Sequence, residues 1–280
     1  MKMWSDVEYV YRCLADTERT TAFRDAIDAV VKPGAIVLDL GTGSGIMAIL
    51  AARAGAGRVF AVEVGPYLSR VSRRNFDISG FGAKITSIRS DARALDLTIV
   101  EKPDVVISEM ITTGLLGEMQ APVLSSLRDA GVIDQTTIVI PATLTTSVTL
   151  VQTHFDFLSI TLRFPIFVDY FSKAFDRPVS RLSAAGHLHT ITFNSSFSED
   201  VDVNTHLTVS NQGSLNGLLL STTTEFLGAT GLGSCISYCQ PVILPLTPEI
   251  DVLPGDTIAV HLRYRLGDGF DSLDHAAERI

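Results

Sequence analysis

The sequence predicts an α/β fold built on a parallel sheet, followed by a second, mostly antiparallel β unit. In the first half, short hydrophobic runs typical of buried strands alternate with helical segments, and this order predicts strand-helix-strand units. From about residue 142 the long helical periods end, and Thr- and Ser-rich runs punctuated by Gly, Pro and Asn replace them. We therefore predict a first unit over residues 1–141 and a second over residues 142–280.

The elements of the first unit follow from hydrophobic periodicity. Residues 7–31 carry apolar side chains at helical spacing and end at Lys32-Pro33-Gly34, a sequence that stops a helix. After this lead-in, predicted strands at 35–40, 58–63, 84–90 and 104–109 alternate with helical segments at 45–55 and after Pro66. The helical crossovers of a parallel sheet cover both of its faces, so its strands are expected to be hydrophobic throughout.

The second unit contains β-rich runs such as TLTTSVTLVQ, THLTVS and DTIAVHLRYR. The interval 162–182 is richer in aromatic residues and is either helical or a projecting arm. Aromatic side chains exposed on an arm would favour self-association, whereas the simpler interpretation packs them on their own unit. His187 and His189 alternate along another predicted strand, and we interpret them as part of a solvated strand face.

Composition indicates an ordered globular chain of 280 residues, 46% of them hydrophobic and 19% charged. The net charge of −9 argues against a nucleic-acid surface, which needs clustered Lys and Arg. We expect no membrane span, because no uncharged apolar run of about 18 residues occurs. The N-terminus lacks the apolar core of a secretion signal, so a cytoplasmic location is expected. The three cysteines are odd in number and lack metal-ligand spacing, so no metal site is predicted.

A glycine-rich turn, VLDLGTGSG, joins the first predicted strand to a helix. Gly41, Gly43 and Gly45 allow the backbone to approach a ligand closely, and the helix N-terminus offers free N–H groups. Ile46 stands where the dinucleotide-binding pattern needs its last glycine, which disfavours an NAD-dependent oxidoreductase. Asp39, two residues before the first glycine, would repel a pyrophosphate but not the ammonium group of a methionine moiety.

Acidic residues follow two further strands of the predicted sheet. Glu63 ends the second strand, where it can accept both hydroxyls of a ribose, and Asp91-Ala92 follow the third, where an adenine amine can donate. Each acid has a simpler interpretation: Asp39 as a turn former, Glu63 as a solvated strand end and Asp91 as a helix N-cap. Because all three lie at successive strand ends of one sheet, together they favour an S-adenosylmethionine pocket.

Two carboxylates nine positions apart, Glu109 and Glu118, bracket a loop that follows the fourth strand in DVVISEMITTGLLGE. Carboxylates this close repel each other unless a cation lies between them, so the pair suggests a cationic substrate. A guanidinium fits, because its planar fork donates parallel charge-assisted hydrogen bonds to carboxylates. The simpler interpretation leaves both acids as solvated hairpin charges.

On these motifs the chain resembles the class I S-adenosylmethionine-dependent methyltransferases, and among them the protein arginine methyltransferase family. The resemblance implies a Rossmann-like domain, then an antiparallel β-barrel domain with a short helical or aromatic arm, and a homodimer. It also implies S-adenosylmethionine as cofactor and guanidinium binding by Glu109 and Glu118, of which we favour Glu118 as the base. The segment DTERTTAFRDAI is similar to the family segment whose arginine grips the cofactor carboxylate, which would be Arg19 here.

Two features depart from the family pattern. The N-terminal aromatic motif has no counterpart, and the Thr-His-Trp loop falls on Ile236-Ser237-Tyr238, which lacks the histidine. By this correspondence Ser237 and Tyr238 are expected to line the substrate mouth. The departures favour free L-arginine or another small guanidine, as in natural-product pathways. The alternatives are a protein or peptide arginine methyltransferase, a small-molecule N- or O-methyltransferase with another acceptor, and a non-catalytic partner of an active paralogue.

Overall fold

A computed structural model describes residues 6–96, 98, 100–168, 178–229 and 231–280. The helices are α1 (Val7–Ala15), α2 (Thr17–Val30), α3 (Ile46–Ala54), α4 (Pro66–Ile78) and α5 (Gln120–Asp129). The strands of the first half are β1 (Ile36–Leu40), β2 (Arg58–Val62), β3 (Ile85–Ile88), β4 (Val105–Ser108) and β5 (Ile138–Ile140). Those of the second half are β6 (Thr143–Thr153), β7 (Asp156–Phe157), β8 (Ile160–Thr161), β9 (Ile166–Phe167), β10 (Val179–Arg181), β11 (Gly186–Thr192), β12 (Asp200–Thr208), β13 (Gly213–Glu225), β14 (Val242–Val252), β15 (Thr257–Arg265) and β16 (Asp274–Arg279).

The first half is a parallel sheet of five strands in the order β3-β2-β1-β4-β5. All four residues of β4 are buried, as are the last four of β1 and of β2, because helices cover the sheet. The chain leaves β1 toward β2 on one side, whereas β4 lies on its other side, so a crevice opens beyond the carboxyl ends of β1 and β4. The predicted α/β architecture is confirmed, and the glycine-rich turn and Glu109 both lie at this crevice.

The helical lead-in is two helices rather than the single one predicted over residues 7–31. Asp16 separates them: it is the C-cap of α1 and the N-cap of α2, with ψ at 89°, outside the helical range. Its side chain accepts a hydrogen bond from the backbone N–H of Arg19 at 3.1 Å, which satisfies one of the free donors at the start of α2. Asp16 favours a cap over a helix interior, so the break fits the sequence although periodicity alone did not reveal it.

The second half is antiparallel, as predicted. A six-stranded sheet runs in the order β10-β6-β13-β14-β9, with β11 also paired to β6, and it curls into a half-barrel. Strands β12, β15 and β16 form a second sheet, and β7 pairs with β8. Within the interval 162–182, the short strands β9 and β10 are described, whereas residues 169–177 lie outside the described residues. Nine of the 21 residues of the predicted helix or arm therefore lie outside the described residues.

Two features of the described residues bear on the functional class. No described helix is both long enough and apolar enough to traverse a bilayer. In the same part of the chain, no three His, Cys, Asp or Glu side chains are grouped so that they could hold a metal ion.

Candidate active site

A cavity of about 270 Å³ lies at the carboxyl ends of the parallel strands and is roofed by α1. Nine of the residues predicted to form the site line this cavity, whereas Gly45, Ser237 and Tyr238 do not. These nine are Arg19, Asp39, Gly41, Gly43, Glu63, Asp91, Ala92, Glu109 and Glu118. Residues separated by about a hundred positions thus converge on one cavity, as expected when parallel strands end at the same edge of a sheet.

The glycine-rich turn forms one wall of the cavity. Gly41, Gly43 and Gly45 all have positive φ, at 71°, 51° and 91°, where side chains other than hydrogen are strained. Gly45 is the N-cap of α3 and packs below the cavity, where an added Cβ would lie 2.6 Å from Cε1 of Phe76. At Gly43 the space that an added Cβ would fill is bounded by Val10 of α1 at 3.6 Å. The turn therefore exposes its backbone to the cavity while Gly45 sets how closely α3 approaches α4.

Arg19 and Glu109 form a buried ion pair at the other wall. One terminal nitrogen of Arg19, Nη2, donates to Oε2 of Glu109, and Nη1 donates to the carbonyl oxygen of Cys13 at 3.1 Å. Burial opposes the charge on both side chains. For Arg19 the attraction of Glu109 outweighs burial, so the pKa of Arg19 is raised. For Glu109 burial outweighs the attraction of Arg19, so the pKa of Glu109 is raised as well. The Nε of Arg19 is buried and has no partner among the described residues.

Glu118 lies beside this pair without a cation of its own. Its side chain is buried, and Oε2 has no hydrogen-bond partner within the described part of the chain. Burial and then the charge of Glu109 raise the pKa of Glu118 well above its ordinary value, and the charge of Arg19 and the Tyr9 side chain oppose the rise. Arg19 thus compensates one carboxylate of the pair, and the arrangement as a whole favours the entry of one more cation.

Helix α1 supplies cavity residues that sequence reasoning missed. Tyr9, Val10, Cys13 and Leu14 all line the cavity from above. Burial and then the charge of Glu118 raise the pKa of Tyr9, so its hydroxyl is a neutral neighbour of the buried acids. Helical periodicity revealed that Tyr9 lies on an apolar stripe. That α1 packs over the strand ends is a tertiary contact that no local pattern indicates.

Ser237 and Tyr238 lie outside the cavity, although the sequence correspondence placed them at the substrate mouth. The backbone N–H and hydroxyl of Ser237 donate to Oδ2 of Asp16 at 2.8 and 3.0 Å. Tyr238 is fully buried, with its hydroxyl 3.0 Å from that of Thr224 and its ring edge-on to Phe23. The loop that carries them therefore joins the half-barrel to the helical lead-in and packs behind Arg19.

The comparisons with known proteins bear on this geometry. Residues 17–142 match the family model described as ribosomal protein L11 methyltransferase (PrmA). An uncharacterised protein of Methanocaldococcus jannaschii is 28% identical over 266 residues, which cover 95% of each chain. The arginine N(omega)-methyltransferase of Streptomyces achromogenes subsp. streptozoticus is 40% identical over 121 residues. That match covers 42% of this chain and 34% of the Streptomyces protein, so it spans about a third of that relative's length.

Solved structures share the whole fold. The PRMT1 enzyme-prozyme complex of Trypanosoma brucei, determined with AdoHcy, superposes with a TM-score of 0.78 at 18% identity. The superposition covers 100% of this chain and 99% of the other.

The chain resembles the class I S-adenosylmethionine-dependent arginine methyltransferases. The family match and the methyltransferase relatives support an S-adenosylmethionine-dependent N-methyltransferase, with S-adenosylmethionine as its cofactor, whereas the likeness to solved structures shows the fold.

The cavity offers suitable groups for an adenosyl amino acid. At one end lies the buried Nε of Arg19, a donor that is suited to a carboxylate and has no partner in the described part of the chain. Asp39 is buried and accepts from the hydroxyl of Thr42; burial raises the pKa of Asp39 to about 7, against that hydrogen bond. An ammonium group beside Asp39 would favour its charged form.

The predicted nucleoside end of the cavity is built from Glu63, Asp91 and Ala92. The two oxygens of Glu63 accept from the backbone N–H groups of Gly43 at 2.9 Å and Gly65 at 2.7 Å, which fixes the carboxylate and leaves lone pairs for ribose hydroxyls. Asp91 caps a short 3₁₀ helix that begins at Ala92 and forms an ion pair with Arg93. Both interpretations of Asp91, helix cap and ligand contact, are therefore compatible with its position.

Proposed function

We propose that this protein transfers the methyl group of S-adenosylmethionine to a guanidino nitrogen of arginine, with free L-arginine or another small guanidine as the acceptor. The product would be ω-N-methylarginine together with S-adenosylhomocysteine. The observation that carries the proposal is the buried carboxylate of Glu118, which lies beside the paired Glu109, has no cation partner among the described residues and faces the same cavity as the glycine-rich turn.

The chemistry follows from the charge of the acceptor. A guanidinium has a pKa above about 12, so at neutral pH it is cationic and its nitrogens have no free lone pair for attack. When bound, S-adenosylmethionine supplies an electrophilic methyl group. Glu109 and Glu118 hold the guanidinium on two edges, which orients the reacting nitrogen and excludes water from it.

Proton removal is assigned to Glu118. Its raised pKa and an oxygen that has no partner among the described residues make it the more basic of the two carboxylates, whereas the ion pair with Arg19 stabilises the charged form of Glu109. The bound guanidinium favours the charged form of Glu118, so the proton that Glu118 holds in the free protein leaves to solvent, and the carboxylate can then accept one from the guanidinium. General-base help of this kind contributes roughly 10²- to 10⁴-fold to a rate. Glu109 would then act mainly as the clamp.

The position of helix α1 over the cavity supports a small acceptor. Helix α1 contributes Tyr9, Cys13 and Leu14 to the cavity wall, so the carboxylates lie beneath a helix and not at an open surface. The name of the Streptomyces relative, arginine N(omega)-methyltransferase, is consistent with an arginine substrate. A protein or peptide arginine, and a non-guanidine acceptor, are the alternatives that the experiment below separates.

We further propose that residues 1–141 bind the cofactor, that residues 142–280 serve substrate binding and dimerisation, and that the protein is a homodimer. Exposed apolar side chains around β7, β8 and β9 support self-association. Leu158 is 99% exposed, Phe164 67% and Phe167 52%, which is unusual for such side chains on a face that stays in water.

The test is a methyl-transfer assay with a panel of acceptors. Purified protein is incubated with methyl-labelled S-adenosylmethionine and, separately, L-arginine, agmatine, an arginine-containing peptide or histones, and the products are identified by mass. We expect label on the guanidino group of L-arginine or agmatine. Label on peptides or histones alone would overturn the small acceptor, and label on no guanidine would overturn guanidine methylation. Calorimetry that detects no cofactor binding would favour a non-catalytic partner.

A further inference from the structure

The loop between the two glutamates is held by the antiparallel half of the molecule. The backbone N–H of Gly114 donates to the hydroxyl of Thr222 in β13 at 2.9 Å. The carbonyl oxygens of Leu115 and Leu116 accept from Gly267 at 2.9 Å and Gly269 at 2.6 Å, just after β15. The segment that joins Glu109 to Glu118 is therefore fixed at its centre by the half-barrel and the sheet beside it.

A side chain of β15 also binds the backbone at the centre of this loop. The hydroxyl of Tyr264, in β15, donates to the carbonyl oxygen of Gly114 at 2.9 Å. Tyr264 is 2% exposed and its oxygen lies 3.2 Å from the place that a Cβ on Gly114 would occupy. With φ at 66°, Gly114 turns its carbonyl toward β15, and the absence of a side chain lets the phenol approach.

His189 contacts the same hydroxyl and is half-buried, not part of a solvated strand face as the sequence suggested. Its Nε2 lies 2.7 Å from the Tyr264 hydroxyl, which has a single hydrogen and gives it to Gly114. Nε2 must therefore donate, and Nδ1 is the bare nitrogen, buried and without a partner among the described residues. Burial lowers the pKa of His189 to about 4, so the ring is neutral at neutral pH, and the two hydrogen bonds of the Tyr264 hydroxyl assign its proton to Nε2.

We propose that Tyr264, oriented by His189, is a positioning residue that sets the loop between Glu109 and Glu118 so that both carboxylates face the cavity. The proposal rests on the proposed function for its effect on turnover. The contact itself, from Nε2–H of His189 through the Tyr264 hydroxyl to the Gly114 carbonyl, is independent of which acceptor is methylated. Neither side chain touches the cavity, so both would act through the loop.

The first experiment removes the hydroxyl without changing the shape of the ring. In Tyr264→Phe we expect kcat/KM for L-arginine to fall roughly ten- to a hundredfold, since small misplacements of catalytic groups have effects of this size. Cofactor affinity, measured by calorimetry, should stay within about twofold, because Arg19 is also held by the carbonyl oxygen of Cys13 and the glycine-rich turn by Glu63, neither of which belongs to this loop. If the substitution merely destabilised the fold, cofactor binding and acceptor turnover would both weaken.

The second experiment tests the role of His189. His189→Gln keeps an N–H donor near the position of Nε2 and should retain most of the turnover, whereas His189→Leu should resemble Tyr264→Phe. Because His189 acts through Tyr264, the double variant His189→Leu with Tyr264→Phe should be little worse than either single variant. Additive losses would show that the two side chains act separately and would overturn the relay.

Hydrogen exchange makes the test independent of catalysis. Backbone amides of residues 113–117 should exchange about tenfold faster in Tyr264→Phe than in wild type, as expected when a local restraint of one hydrogen bond is lost.

His261→Asn is the matched control, because His261 lies on the same strand but pairs with Asp202 at the surface. Unchanged exchange of the loop in Tyr264→Phe would overturn the proposal. If wild type methylates no guanidine while loop exchange responds, the proposed function fails and the positioning role stands.

Discussion

At the scale of the residue, the two glutamates differ in what compensates their charge. Glu109 is paired with Arg19, whereas Glu118 is surrounded by buried groups and has an oxygen without a partner among the described residues. A carboxylate in that setting favours its protonated form until a cation arrives. This asymmetry makes the stability of the ligand-free protein depend on pH.

Glu118→Gln should change that pH dependence in a defined direction. Burial raises the pKa of Glu118 in the folded state, so the folded protein holds this proton more tightly than the unfolded chain. Protonated Glu118 therefore stabilises the fold fully below the unfolded pKa of about 4.3, and this stabilisation is lost as pH rises toward the pKa of the folded state. The free energy of unfolding in urea, measured from pH 5 to pH 8, should decline less with pH in Glu118→Gln than in wild type.

A matched substitution separates this effect from a general change in charge. Glu278 is exposed on β16, and Glu278→Gln removes the same charge from the surface. This variant should reproduce the wild-type slope. Identical slopes for wild type and Glu118→Gln would mean that Glu118 is not held in a costly buried environment.

Residue chemistry followed most directly from the strand pattern where it lies at the end of a strand, whereas Glu118 was predicted from the spacing of the loop and Arg19 from the family resemblance. Asp39, Glu63 and Glu109 follow directly from the strand pattern, and the structure brings them to one cavity. Tyr9 and Tyr264 could not be found in this way, because each acts on a part of the chain more than a hundred residues away. Such contacts depend on how helix α1 and strand β15 pack, which no local spacing specifies.

At the scale of the element, the glycine-rich turn sets the distance between α3 and α4. Gly45→Ala would place a Cβ 2.6 Å from Cε1 of Phe76 at a residue whose φ is 91°. Strain and overpacking together should cost about 2 kcal/mol or more in unfolding free energy. Because α3 must shift, S-adenosylmethionine affinity measured by calorimetry should fall at least about tenfold, in line with 1.4 kcal/mol per factor of ten.

Gly80→Ala supplies the comparison for this variant. Gly80 also has a positive φ, at 80°, but an added Cβ there would meet nothing within 4 Å. The free energy of unfolding of Gly80→Ala should fall by only about 1 kcal/mol, from the strained backbone alone, and the variant should bind the cofactor as wild type does. Equal cofactor affinity in the Gly45 and Gly80 variants would contradict the role assigned to the turn.

The elements themselves were predicted better than their ends. Alternation of buried strands with helices gave the parallel sheet, because that pattern reflects burial on both faces. The break of the lead-in at Asp16 was missed, since the apolar stripe continues through it and only the capping geometry shows two helices. The attachment of Ser237 to Asp16 shows why the substrate-mouth prediction was not matched: this loop packs against a helix cap rather than the cavity.

At the scale of the whole molecule, the antiparallel half holds the loop between Glu109 and Glu118 and exposes an apolar surface around β7, β8 and β9. If that surface mediates the proposed homodimer, the double substitution Leu158→Ser and Phe164→Ser should lower the dimer affinity by at least about tenfold, since loss of buried apolar contact weakens association. Sedimentation velocity over a range of protein concentrations measures this change directly.

Leu253→Ser is the control for the dimer, because Leu253 is also an exposed apolar residue, 60% accessible, but lies in the turn between β14 and β15. It should leave the sedimentation behaviour unchanged. A monomeric wild type, or equal effects of both changes, would contradict the proposed interface.

The central claim is that Glu118 removes a proton from a guanidinium held between two acids. The most direct measurement is transfer of labelled methyl to L-arginine by wild type and Glu118→Gln, with cofactor affinity determined on the same preparations. The account predicts that turnover falls roughly 10²- to 10⁴-fold, the range of general-base catalysis, while the S-adenosylmethionine Kd stays within about twofold. Turnover close to wild type in Glu118→Gln would contradict it.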